Sequence, residues 1–180
     1  DPVAHHVALL LADGGRALLY VPFLNYADGN LDAAAELLGH PHTVPGLSDG
    51  GAHVGTICDA SFPTTLLTHW ARDRDHGTTF DLPFLVHRQC RATAETVGLL
   101  DRGLLAPGHK ADVNVIDFEH LGVDAPRVVH DLPAGGKRLL QGAHGYLHTF
   151  VSGVETQAGG QPTGERPGRL VRGAQAAVAS

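Results

Sequence analysis

With 180 residues the chain is long enough for one domain with a sizeable core, and its 43% hydrophobic content is ordinary for a folded protein. A net charge of −6, with 13 Lys and Arg distributed along the chain, excludes the basic footprint of a nucleic-acid partner. Two cysteines, no apolar amino-terminal run with a basic flank and no stretch of membrane-spanning length set the expectation of a cytoplasmic protein without a membrane partner.

Asp1-Pro2 reads as a helix cap with proline in the first turn, and Val3, Val7, Leu10 and Leu11 recur on one helical face before Gly14 and Gly15. Ala17 to Val21 reads as a short apolar strand. Asp28 or Asn30 caps a second helix, with Leu31, Ala34, Ala35 and Leu38 on one face and Gly39 at its end. A second strand, Thr43 to Leu47, follows and delivers Asp49 to its carboxyl end. Phe62, Leu66, Leu67, Trp70 and Ala71 form a third helical stripe, and Asp81-Leu82-Pro83 opens a helix running to about Cys90.

Strands alternating with helices imply parallel pairing through right-handed crossovers. Two such strands cannot make a parallel sheet with both faces covered, so residues 1–102 are expected to be the last part of a larger α/β barrel or sheet. The chain changes character near Gly103. Leu104 to Lys110 is a turn-rich connector, and Val113 and Val115 alternate with polar neighbours as in a strand. Val128-Val129 and Tyr146 to Val151 are further strand candidates, and residues 159–172 form a tail rich in Gly, Pro and Arg. Residues 103–180 are therefore expected to form a small β unit with a surface tail. Its few short strands would leave unpaired edges if it stood alone.

Thr43-Val44-Pro45-Gly46-Leu47-Ser48-Asp49-Gly50-Gly51-Ala52-His53 carries the densest chemical signal. An acidic residue at the carboxyl end of a barrel strand lies where ligands gather in parallel α/β folds. Gly50 and Gly51 permit close backbone approach beside it. Ser-Asp-Gly-Gly is also an ordinary turn sequence, so the residues alone leave a structural turn open.

Four stretches resemble the D-aminoacylases, or N-acyl-D-amino-acid deacylases, of the metal-dependent amidohydrolase superfamily. They are Gly46 to His53, Thr96 to Gly103, Leu105 to Val115 and Thr163 to Arg169, spread over most of the chain. The resemblance implies the carboxyl-terminal portion of a TIM-type barrel (residues 1–102) followed by a small β-sandwich (residues 103–180). It implies a Zn2+ cofactor, and hydrolysis of the amide bond of a small-molecule N-acyl-D-amino acid. Asp49 is carried over as the catalytic carboxylate, which receives a proton and returns it to the leaving nitrogen, and as a candidate metal ligand. His53 either lines the substrate pocket or merely sits in the loop.

The resemblance places the other metal ligands on earlier barrel strands, and the His-x-His motif usual at their start has no counterpart here. The chain is expected to need the upstream barrel segment or self-association, and to be inactive by itself. His5-His6 falls on a helix. His40 and His42 fall at the opposite end of the expected strand, roughly 15 to 20 Å from Asp49 at the rise of a strand. The remaining histidines, from a total of 13, are scattered. Cys58 and Cys90 have neither zinc-knuckle nor redox spacing. Ser48 and Ser61 lack the Gly-x-Ser-x-Gly context of a serine hydrolase. The alternative to an enzyme portion is a noncatalytic scaffold or interaction domain that keeps these elements without a metal centre.

Overall fold

A computed structural model of the chain describes residues 1–20, 24–46 and 48–178. It divides into two compact units, Asp1–Gly39 and His40–Ser180.

In the first unit, helix α1 spans Pro2–Gly15 and is capped as its sequence requires: the Asp1 carboxylate accepts the Val3 amide at 3.0 Å. The helical path breaks at Ala12, and Gly14 takes a φ of +66°, which a residue without a Cβ adopts at little cost. Helix α2 spans Asp32–Gly39. Just before its first turn, Asn30 Oδ1 accepts the Asp32 amide at 2.9 Å, and Asp28 makes no such bond among the described residues. Ala35 is buried, yet every residue of α1 is exposed, including Val3 at 68% and Leu11 at 67%.

Residues 17–20 and 43–46, expected as strands, have no regular secondary structure; Val21 and Leu47 lie outside the described residues. A central parallel strand needs a partner on each side for its N–H and C=O groups, and Pro45 has no N–H to give. Short apolar runs specify burial better than they specify pairing. Every ladder among the described strands is antiparallel, and no closed barrel forms among the described residues.

The second unit is built from helices followed by antiparallel strands. Helix α3 (Phe62–Thr68) runs into a wide π-helical segment, His69–Asp73. Its inner face buries Thr64, Leu66, Thr68 and Trp70. The Phe80 amide returns to the Trp70 carbonyl at 2.9 Å, reversing the chain into helix α4 (Leu82–His87), whose cap Asp81 accepts the Phe84 amide at 2.8 Å. A second π-helical segment, Arg88–Ala92, leads into α5 (Thr93–Thr96). The helical run therefore extends past the expected end at Cys90. No Gly or Pro interrupts Arg88 to Thr96, so nothing in its sequence stops it.

Strands β1 (Val113–Ile116), β6 (Tyr146–Val151), β7 (Val154–Ala158) and β8 (Gln161–Pro162) make one sheet in that order. β2 (Gly122–Val123) pairs β5 (Ala143–His144), and β3 (Arg127–Leu132) pairs β4 (Gly136–Leu140). Two-residue hairpin turns set the register of the larger sheet. Ser152 and Gly153 have φ values of +53° and +78° between the paired Val151 and Val154. Gly159 and Gly160, at +55° and +75°, do the same between Ala158 and Gln161.

Helices and strands of this unit are bolted together by side chains. Arg72 donates from Nη1 to the carbonyls of Phe118 (2.6 Å) and Glu119 (3.0 Å), and from Nη2 to that of Leu121 (2.8 Å). Leu121, 1% exposed, completes the core with Leu66, Trp70, Leu85 and Ala94. Thr64 Oγ1 and Tyr146 Oη lie 2.8 Å apart, and Ser61 Oγ donates to Gln141 Oε1.

Candidate active site

Asp49 and His53 sit in the irregular segment that precedes α3, on two consecutive turns. The Ala52 amide donates to the Asp49 carbonyl at 3.1 Å. The His53 carbonyl then accepts from the Thr56 amide (2.8 Å), the Ile57 amide (3.1 Å) and Thr56 Oγ1 (3.1 Å). Both residues have left-handed backbones, with φ of +53° at Asp49 and +44° at His53. Asp tolerates that region because its short polar side chain serves turns, which is the structural half of the double reading this motif allows.

Gly50 has a different reason to be glycine. A Cβ built there would fall 2.9 Å from Ala60 Cβ and 3.0 Å from its Cα and N, so only a bare backbone passes this close to the start of α3. Further along, the Val54 carbonyl accepts the Leu139 amide of β4 at 2.7 Å, tying the segment to the antiparallel part of the unit. The Asp49 side chain is exposed, as is that of His53. Neither makes a side-chain hydrogen bond or ion pair among the described residues, so both remain open to an incoming group.

The other histidine candidates are placed plainly. His6 Nδ1 lies 2.7 Å from the Pro2 carbonyl on the surface of α1. His40 Nδ1 accepts the His42 amide at 3.2 Å, so backbone already occupies one ring nitrogen of that pair. His120, His144 and His148 pair with Asp117, Asp124 and Glu155 at 2.8, 3.0 and 2.5 Å. Each is a solvent-facing pair of two groups. Sequence reading missed them because strand register brings the last two together. Among the described residues no three His, Cys, Asp or Glu come together in a way that could hold a metal ion. Cys58 and Cys90 are free thiols, both pushed up from the ordinary range by burial, with Asp59 adding to the effect at Cys58.

The geometry up to this point is that of an exposed carboxylate held on a glycine-supported turn. The chain belongs to the amidohydrolase family, whose model matches residues 11–161 and so spans both units. The family is one of hydrolases, and members of its superfamily are in general metal-dependent. No curated protein and no solved structure matches the chain. Among the described residues no helix is long and apolar enough to cross a membrane.

Proposed function

We propose that this chain is the carboxyl-terminal portion of a zinc-dependent amidohydrolase that cleaves the amide bond of N-acyl-D-amino acids, with Asp49 moving the proton. The single observation that carries the reading is the Asp49 turn. Its carboxylate is exposed and uncommitted, while its backbone is held by the Ala52 bond and the Gly50 approach to Ala60. A carboxylate so placed can take a proton from the attacking water and give it to the leaving nitrogen. His53, four residues on and equally open, is the candidate contact for the rest of the substrate.

Zinc is the metal of this proposal, and the described residues do not fit it, since they bring no third ligand to Asp49 or to any histidine. The remaining ligands are therefore proposed to come from an upstream barrel segment, for which residues 1–102 supply the closing elements and residues 103–180 the appended β unit. The isolated chain is then inactive, and the proposed setting is cytoplasmic. A noncatalytic scaffold is the competing reading, favoured by that same lack of a ligand cluster.

Hydrolysis of N-acetyl-D- and N-acetyl-L-methionine, with zinc content measured on the same sample, separates the two. For the isolated chain the expectation is less than one zinc per chain and no turnover. For a longer protein that carries this segment, D-selective turnover lost in Asp49→Asn is expected. In that longer protein, turnover of neither substrate, or turnover that survives Asp49→Asn, overturns the assignment. One zinc per isolated chain with turnover would show that the chain builds its own site.

A further inference from the structure

Arg88 is 7% exposed, yet no carboxylate pairs with it among the described residues, and its Nε has no partner there. Burying a guanidinium without a counter-charge is expensive, and exchanging such a group for an apolar one of similar volume is often neutral or stabilising. Stability alone therefore gives no reason for an arginine here. Its contacts give another.

Nη2 donates to the His40 carbonyl at 3.0 Å and to Thr43 Oγ1 at 2.8 Å. Thr43 Oγ1 in turn donates to the same carbonyl at 3.0 Å, and the Thr43 amide reaches it at 3.3 Å. The Arg88 guanidinium also lies 5.8 Å from the centre of the Phe84 ring, which presses it against α4. These bonds fasten residues 40–43 to the helical run that starts at Leu82. The chain between Thr43 and α2 on one side, and between Thr43 and Asp49 on the other, has no ladder or helix to position it among the described residues. Beyond Asp49, Gly50 against Ala60 and Val54 against Leu139 hold the far end.

We infer that Arg88 is a positioning residue: it pins the near end of the Asp49 segment, so that the left-handed turn bearing the carboxylate is presented in one place. The inference rests on the reading of Asp49 as the proton-transfer group, but its test uses no substrate, so failure of the hydrolytic reading would be seen separately.

The experiment is residue-resolved hydrogen exchange and the Asp49 Cα chemical shift, which reports its left-handed φ, in the full chain and in Arg88→Met and Arg88→Lys. Arg88→Met is expected to speed exchange at Thr43 about tenfold, the factor that loss of hydrogen bonds of ordinary net strength produces. The Asp49 shift should move away from its left-handed value while the β6–β7 hairpin amides stay unchanged. Lysine keeps the cation without the planar fork and should restore part of both signals. Unchanged Thr43 exchange and Asp49 shift would overturn the inference. So would equal acceleration everywhere, which would mean that Arg88 serves only global stability. If Arg88→Met does not fold, Arg88→Lys decides on the same criteria: loosening confined to residues 40–52 supports the inference, and uniform loosening overturns it.

Discussion

His69 illustrates how one side chain couples packing to pH. It lies edge-on to Trp70 at 4.9 Å between ring centres, and its Nε2 is buried without a partner among the described residues. Burial lowers its pKa, the nearby Arg74 lowers it further, and Asp73 and Asp75 oppose the shift. In the unfolded chain the same imidazole titrates at about 6.5. As the pH falls through that value the unfolded chain binds a proton that the folded one resists, so stability is full above it and declines below it. Thermal melts from pH 7.5 to 5.5 are expected to show a falling midpoint, and His69→Gln should flatten that slope relative to the parent. Asp73 works in a separate window. The Arg72 hydrogen bond holds its carboxyl below the ordinary carboxylate range, so its contribution is kept above about pH 4 and lost only in stronger acid. Asp49 and His53 were legible as candidates because Asp-Gly-Gly and a nearby histidine are adjacent in the chain. Arg88 was not, because its meaning depends on being buried 48 residues away from His40.

Helix starts were the elements most readable from sequence. Asp1, Asn30 and Asp81 each accept a first-turn amide, because a cap is a contact between residues two or three apart. Asp81→Ala is accordingly expected to cost about 1 kcal/mol in urea unfolding, with asparagine at that position recovering most of it. Strand positions were read less completely. Val113 to Ile116 and Tyr146 to Val151 were anticipated, but β4 and β7 were not, although Ser152-Gly153 and Gly159-Gly160 are turn signals on either side of β7. The two short runs at Ala17 and Thr43 fail as strands for the complementary reason. Their side chains suit a sheet, and no neighbour among the described residues supplies the ladder.

For the molecule as a whole, the uncovered face of α1 is the property with the widest consequence. Val3, Val7, Leu10 and Leu11 are between 46% and 68% exposed, where a helix of a finished domain would hide them. We propose that this face takes part in self-association when the chain stands alone. Sedimentation velocity over a hundredfold range of concentration is expected to show growing species, and Val7→Lys with Leu11→Lys should reduce them. A compact monomer at every concentration would count against the proposal. In the second unit, Arg72, Thr64 and Ser61 tie the helices to Leu121, to Tyr146 of β6 and to Gln141.

The sequence by itself determined helix starts at Asp1 and Asp81, strands at Val113 to Ile116 and Tyr146 to Val151, the candidacy of Asp49, and a resemblance that the family match supports at the level of the amidohydrolases. All of these depend on residues close together in the chain, or on motifs read in order. Only the tertiary structure decided which apolar runs find a ladder, which glycine is there to let Ala60 approach, and which arginine is buried without a counter-charge among the described residues. Those outcomes depend on what lies across space from each residue, because desolvation and hydrogen-bond pairing act through contact and not through sequence distance.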